Sequence, residues 1–161
     1  MPMHTDAAGN EIKHDITALL CVTPSRGDGQ TPFVCVDQVY TELQDSHPEV
    51  LAILERGFFY KCRGGDDVMP YSKERIPVLR RTSEGEIESF FAEKYVDKSR
   101  LTVEEHFALQ VFVQAAERQE RHLDFSWRHG DALFWNNSRV LHGRRAYSDP
   151  TRHLLRLWVQ R

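Results

Sequence analysis

Residues 123–159 carry the sequence LDFSWRHGDALFWNNSRVLHGRRAYSDPTRHLLRLWV. Short runs rich in strand-forming residues alternate there with clusters of turn-forming residues. The runs lie at 123–127, 132–135, 139–142 and 152–159, and the turns between them lie at 129–131, 136–138 and 148–150. Short strands at this regular spacing are typical of an antiparallel β-sandwich or barrel.

The first third of the chain adds strands and helices to this pattern. The candidates are strands at 16–22 and 31–36 and helices at 36–43 and 48–56. Pro48 and Gly57 occupy the positions just inside the start and just past the end of the second helix, where helices tolerate these residues best. Ser46 is the predicted cap of that helix.

A long helix is predicted from a capping box at Thr102 and Glu105 and is expected to end near His122. Its predicted buried stripe consists of Phe107, Leu109, Val111, Phe112, Ala115 and Ala116. Residues 63–100 are rich in charge, glycine and proline, and two interpretations stay open for them. They form either an insertion with short strands that shapes a substrate mouth or a solvated surface excursion.

Composition limits the classes of protein that fit. The chain has 161 residues, 40% of them apolar and 28% charged, which favours one globular domain. Its formal charge of -3 offers no basic excess for nucleic-acid binding. No apolar run is long enough to span a bilayer, and Met1–Asp6 lacks the pattern of a signal peptide. Three cysteines without a C-x-x-C pair favour a reducing, cytoplasmic location.

Two separate segments offer metal ligands. His4 and Asp6 are two residues apart, so an extended chain would point both side chains to one face. His142 ends an apolar run and would complete a face of two histidines and one carboxylate, which typically serves Fe(II). The simpler alternatives are a frayed terminus at His4 and a hydrogen-bonded structural histidine at position 142.

The last run places two arginines on one face together with apolar residues. Arg152, Leu154, Arg156 and Trp158 alternate along this strand. If that face is interior, each guanidinium needs an anionic partner, either a protein acid or a carboxylate ligand.

Taken together, these motifs resemble the Fe(II)/2-oxoglutarate-dependent dioxygenases of the TauD/TfdA group, which include clavaminate synthase-like proteins. The resemblance rests on His4-x-Asp6, on residues 130–144 leading to His142, and on Arg152-His-Leu-Leu-Arg156. It implies a fold that is mainly β with helices, with a double-stranded β-helix (jelly-roll) core and a long helical/loop insertion. We expect residues 1–161 to form one such domain, with a variable insertion at about 63–122.

The resemblance also implies roles for particular residues. His4, Asp6 and His142 would bind Fe(II), and Thr31 and Arg152 would hold 2-oxoglutarate as cosubstrate. Arg156 matches a position that binds an anionic group of the substrate in some relatives. The implied activity is hydroxylation of a small anionic organic substrate with release of succinate and CO2. The retained acid at Asp6 disfavours halogenation.

The chain departs from the family pattern because only three residues precede the H-x-D motif. In the family a longer region before this motif usually covers the jelly roll. The sequence is therefore a shortened homologue, a fragment, or a chain whose cover another chain supplies, and without that cover we expect an exposed apolar face that favours a homo-oligomer or a second covering chain. Two alternative functions stay open. One is a catalytically silent jelly-roll module with an interaction or regulatory role, and the other is a zinc hydrolase with the same three ligands.

Overall fold

A computed structural model describes residues 1–9, 14–61, 72–119 and 123–160. The strands are β1 (Ile16–Thr23), β2 (Thr31–Cys35), β3 (Leu79–Arg81), β4 (Ile87–Ser89), β5 (Asp124–Phe125), β6 (Ala132–Asn136), β7 (Val140–His142) and β8 (His153–Val159). The α-helices are α1 (Val36–Ser46), α2 (Pro48–Arg56) and α3 (Val103–Gln119). Single turns of 3-10 helix lie at Glu93–Tyr95 and Lys98–Arg100.

Two antiparallel three-stranded sheets form the β part of the molecule. β1 lies between β6 and β8, and β2 lies between β5 and β7. In the first sheet Thr17 is opposite both Trp135 and Trp158, which places these three side chains on one face. The mainly β prediction with added helices is therefore confirmed for the described residues.

The three helices and the β3–β4 hairpin bury most of the apolar core. Leu43, Leu54 and Phe112, one from each helix, are almost completely buried where the three helices contact each other. Gly57 ends α2 with φ 74°, and a Cβ there would lie 2.0 Å from the Ile76 carbonyl oxygen. Only glycine fits this close approach of two backbones.

The segment after residue 71 is not a solvated excursion. Val78, Leu79, Phe91 and Val96 are at most 3% exposed and belong to the core. Short strands are present there as the β3–β4 hairpin, whereas the insertion itself stays a prediction. Phe58 and Tyr60 form isolated antiparallel bridges to Ile76 and Val96, outside the named strands.

Two local predictions about the helices were wrong. Phe107 is 53% exposed, and Ala108 takes its place in the buried stripe of α3. Ser46 does not cap α2, because its hydroxyl donates to the Glu42 carbonyl 2.6 Å away and so belongs to the end of α1. The predicted end of α3 near His122 lies outside the described residues.

One face of the β6–β1–β8 sheet carries large apolar side chains that contact solvent. This outer face consists of Leu20, Phe134, Leu155, Leu157 and Val159, which are 37% to 68% exposed. The expectation of an exposed apolar face is confirmed for the described part of the chain. No described helix is both long and apolar enough to cross a membrane.

Candidate metal centre

Two histidines from opposite ends of the sequence lie side by side. The backbone N–H groups of His4 and His142 each donate to the other residue's carbonyl oxygen at 2.9 Å. An antiparallel pair of this kind directs both side chains to the same face, and the two ring centroids are 4.4 Å apart. His4 is only 9% exposed, so the alternative of a frayed terminus does not fit.

The Asp6 carboxylate completes the cluster. Its Oδ1 lies 3.7 Å from Nε2 of His4, and its Oδ2 lies 3.7 Å from Nε2 of His142. One ligand atom from each of the three residues lies within 4.8 Å of the other two, and all three side chains are buried. The ligands predicted from sequence are therefore brought together.

Asn137 holds the backbone at Asp6 in place. Its side-chain oxygen accepts from the Asp6 N–H at 2.9 Å, and its amide donates to the Asp6 carbonyl oxygen at 2.9 Å. Asn137 is 3% exposed and follows β6 directly, so the sheet fixes its position. It thus supports the cluster through the backbone, without contacting a reacting atom.

His142 is in the form that binds metals. Nδ1 of His4 donates to the Pro2 carbonyl oxygen at 2.9 Å, which turns Nε2 toward Asp6. Burial, together with the nearby His4 ring, lowers the pKa of His142 to about 3. His142 is therefore neutral at physiological pH, as a ligand must be.

Asp6 is ionised and is paired within the protein. Burial raises the pKa of its carboxyl, but the neighbouring histidines and donors outweigh burial and hold the pKa below its usual value. Arg156 donates to Oδ1 and the Trp158 indole donates to Oδ2, each at 3.0 Å. Of the two partners left open for Arg156, a protein acid or a carboxylate ligand, the structure shows the protein acid.

The other two predicted site residues lie at a second pocket or beside it. Arg152 donates to the Gly29 carbonyl oxygen at 3.0 Å and packs on the Tyr147 ring. A Cβ at Gly29, where φ is 73°, would lie 3.0 Å from Nε of Arg152, so the glycine makes room for the guanidinium. Burial lowers the pKa of Arg152, with nearby Arg144 acting in the same direction.

Thr31 is linked to this pocket through an indole. Its hydroxyl accepts from Nε1 of Trp127 at 2.8 Å, and its side chain is 2% exposed. Trp127 and Arg152 both line the pocket, an open depression of about 310 Å³. Thr31 itself is not among the residues that line it.

A larger open pocket lies against the histidine and aspartate cluster. It encloses about 570 Å³, including the part open to solvent, and His4, Asp6, Arg156 and Trp158 contribute to its wall. The remaining lining residues include Lys61, Ala92, Lys94 and Tyr95. Sequence reasoning missed these residues, because no local motif marks a lysine that only the tertiary structure brings to a site.

Comparison with known proteins finds one consistent group. The model of the family described as taurine catabolism dioxygenase TauD, TfdA family, matches residues 1–158. The chain is 29% identical over 173 residues to FR-33289 synthase of Streptomyces rubellomurinus (strain ATCC 31215). This match takes in 99% of the chain and 49% of the synthase, so the chain spans about half the length of that curated relative.

Solved structures agree on the fold. An asparagine oxygenase in complex with Fe(II), 2S,3S-3-hydroxyasparagine and succinate superposes with a TM-score of 0.81 at 19% identity, over 99% of this chain and 49% of that one. A taurine dioxygenase from Burkholderia xenovorans gives 0.74 at 22% identity, over 99% and 56%. The prediction of a jelly-roll core is confirmed.

Proposed function

Because the chain belongs to the taurine catabolism dioxygenase TauD, TfdA family, we propose that it carries the iron centre of an Fe(II)- and 2-oxoglutarate-dependent dioxygenase. The reaction would combine a small anionic organic substrate, O2 and 2-oxoglutarate to give the hydroxylated product, succinate and CO2. The proposal rests on one observation: the side chains of His4, Asp6 and His142 are buried and bring their ligand atoms together.

The donor set suits a divalent metal. Two imidazoles and one carboxylate form the facial arrangement that ferrous oxygenases use, with coordination positions left open. When bound, iron and 2-oxoglutarate supply the oxidising chemistry, in which one oxygen atom enters a C–H bond of the substrate and the other enters succinate. The protein's own part is to fix the ligands through β7 and Asn137 and to shield them from water.

Arg152 and Thr31 are the residues proposed to hold 2-oxoglutarate. A planar guanidinium matches a carboxylate, and the depression beside Arg152 leaves room for one. Arg156 would bind an anionic group of the substrate. Its present partner is the Asp6 carboxylate, whose charge a bound metal would also neutralise.

The proposal is tested by anaerobic titration with Fe(II) and 2-oxoglutarate. We expect a weak visible charge-transfer band in the parent chain and in an Asp45→Ala control, which removes an exposed acid of α1. Asp6→Ala should lose both the band and substrate-coupled succinate formation. A parent chain without the band would support the silent module, and full turnover by Asp6→Ala would contradict the assigned ligand. Zinc-dependent hydrolysis would support the hydrolase alternative, in which Arg152 has no role.

The proposal extends to the binding partners of the chain and to its cellular location. We propose that a second copy of this chain covers the outer face, because exposed apolar area of this kind favours association. A covering chain of another kind is the alternative outcome. The small-molecule substrate and O2 follow from the proposed chemistry. The cytoplasmic location stays a prediction, supported by the free thiols of Cys21 and Cys35.

A further inference from the structure

The pocket beside the metal ligands has an excess of positive charge in its wall. Lys61, Lys94 and Arg156 line it, and Asp6 is the one carboxylate among its described lining residues. Arg156 already pairs with that carboxylate. Among the lining residues that the structure describes, no further acid offsets the positive charge of the two lysines.

Backbone pairing places Lys61 beside the 3-10 turn that carries Lys94. The Lys61 N–H donates to the Tyr95 carbonyl oxygen at 2.7 Å, and Tyr60 and Val96 form an antiparallel bridge. Lys94 lies in the turn Glu93–Tyr95, and its ammonium lies 4.7 Å from the centre of the Tyr95 ring. The two lysines are thus carried by neighbouring segments that a backbone hydrogen bond holds together.

Neither ammonium forms an ion pair within the described part of the chain. The neighbouring Lys98 does, because its ammonium donates to Glu93 at 2.6 Å. A surface lysine near acids commonly finds such a partner, at little gain in stability. Lys61 and Lys94 instead line a pocket whose wall includes His4 and Asp6.

We propose that Lys61 and Lys94 form the subsite that binds the oxyanion of the substrate, so that the substrate is a small organic acid held by ammonium groups at one side of the pocket. The inference rests on the proposed function for the identity of the ligand as a substrate. Two ammonium groups favour a dianionic group such as a phosphonate over a singly charged carboxylate. The carbon to be hydroxylated would then lie toward His4 and Asp6.

The test uses the metal-free full chain labelled with ¹⁵N and inorganic phosphate, acetate and methylammonium as probes. Phosphate should shift the amide signals of Lys61 and Tyr95 and the indole signal of Trp158 in a saturable way. Acetate should bind more weakly, and methylammonium should cause no saturable shift. Signals of Gly29 and Arg152 report separately on the second pocket.

Matched variants decide the outcome. In Lys61→Gln/Lys94→Gln the phosphate affinity read from these signals should fall at least tenfold, and Lys61→Arg/Lys94→Arg should retain it. Arg56→Gln/Lys73→Gln removes two exposed charges that do not line the pocket and should leave the phosphate affinity unchanged. Equal affinity in the parent and in Lys61→Gln/Lys94→Gln would overturn the inference.

The two proposals fail in different ways. A charge-transfer band with Fe(II) and 2-oxoglutarate, combined with unchanged phosphate binding in Lys61→Gln/Lys94→Gln, overturns the lysine subsite and leaves the dioxygenase standing. Lysine-dependent phosphate binding in a chain without that band supports an anion site and contradicts the dioxygenase.

Discussion

At the scale of single residues, Asp6 connects the proposed metal centre to the rest of the protein. A buried carboxylate is costly unless it is paired and hydrogen-bonded. Arg156 and Trp158 meet this need from β8, while Asn137 fixes the Asp6 backbone. The same acid is therefore stable in the folded chain without metal and is already in place to bind one.

Arg152→Ala tests the proposed cosubstrate site. We expect the 2-oxoglutarate concentration needed for half-maximal charge-transfer absorption to rise at least tenfold, because a carboxylate would lose its guanidinium partner. Fe(II) affinity, measured by equilibrium dialysis, should stay close to that of the parent. Arg118→Ala, which breaks an exposed pair with Glu42, is the control. Equal loss of iron and cosubstrate binding would count against the role of Arg152.

The neutral His142 makes the stability of the metal-free chain depend on pH. Its pKa of about 3 in the folded state lies below the usual 6.5, so the unfolded state binds the proton first as pH falls. The free energy of unfolding should therefore decrease from about pH 6.5 toward pH 3. Burial lowers the pKa of His14 as well, which adds to the same trend.

Urea denaturation at several pH values measures this effect. In His142→Gln the free energy of unfolding should decrease less between pH 7 and pH 5 than in the parent. His106→Gln, at an exposed position in α3, should leave this pH dependence unchanged. The same dependence of the unfolding free energy on pH in His142→Gln and in the parent would show that His142 does not cause it.

At the scale of elements, the start of α3 follows from a local rule that holds regardless of the fold around it. The Thr102 N–H donates to Glu105 Oε2 at 2.9 Å, and the Glu105 N–H donates to the Thr102 hydroxyl at 3.2 Å. These reciprocal bonds satisfy two groups at the helix end, and the predicted capping box is confirmed. Glu105 also binds Arg75, so the cap ties α3 to a neighbouring segment.

Thr102→Ala should lower the free energy of unfolding by about 1 kcal/mol, because one N–H at the start of α3 loses its acceptor. The measurement is urea denaturation of the metal-free chain at neutral pH. Thr41→Ala, at an exposed position within α1, should have no destabilising effect. An unchanged midpoint for Thr102→Ala would mean that the cap contributes nothing.

At the scale of the whole molecule, the two faces of the β6–β1–β8 sheet have different roles. One face presents Arg156 and Trp158 to Asp6 of the proposed metal centre. The opposite, outer face leaves Phe134 and Leu157 68% and 59% exposed. Both faces follow from the alternation of side chains along each strand, because the neighbours of a residue that faces the site point to the outer face.

Phe134→Lys/Leu157→Lys tests the proposal for the outer face. We expect the parent chain to associate with rising concentration in sedimentation or light-scattering measurements, and the double variant to remain monomeric over the same range. Phe107→Lys, which changes an exposed aromatic of α3 away from this sheet, should behave like the parent. Self-association of the double variant at parental strength would place the contact elsewhere.

Local patterns predicted most of the elements. The alternation in 153–159, the proline and glycine around α2 and the capping box of α3 act over a few residues, so the sequence shows them directly. The predictions that were wrong concern features that tertiary packing decides and that no local pattern shows. Whether Phe107 or Ala108 faces the core depends on how α3 is rotated against α1 and α2, and packing decides this rotation.

The amino-acid sequence by itself determined which donors are available, namely two imidazoles, one carboxylate and the arginines of the last strand, together with the strand alternation that presents them. Only the tertiary structure decided that His4 pairs with His142, that Asn137 supports Asp6 and that Lys61 and Lys94 line the pocket. The reason is physical. Backbone pairing between distant segments depends on the packing of whole sheets, which no short stretch of sequence encodes.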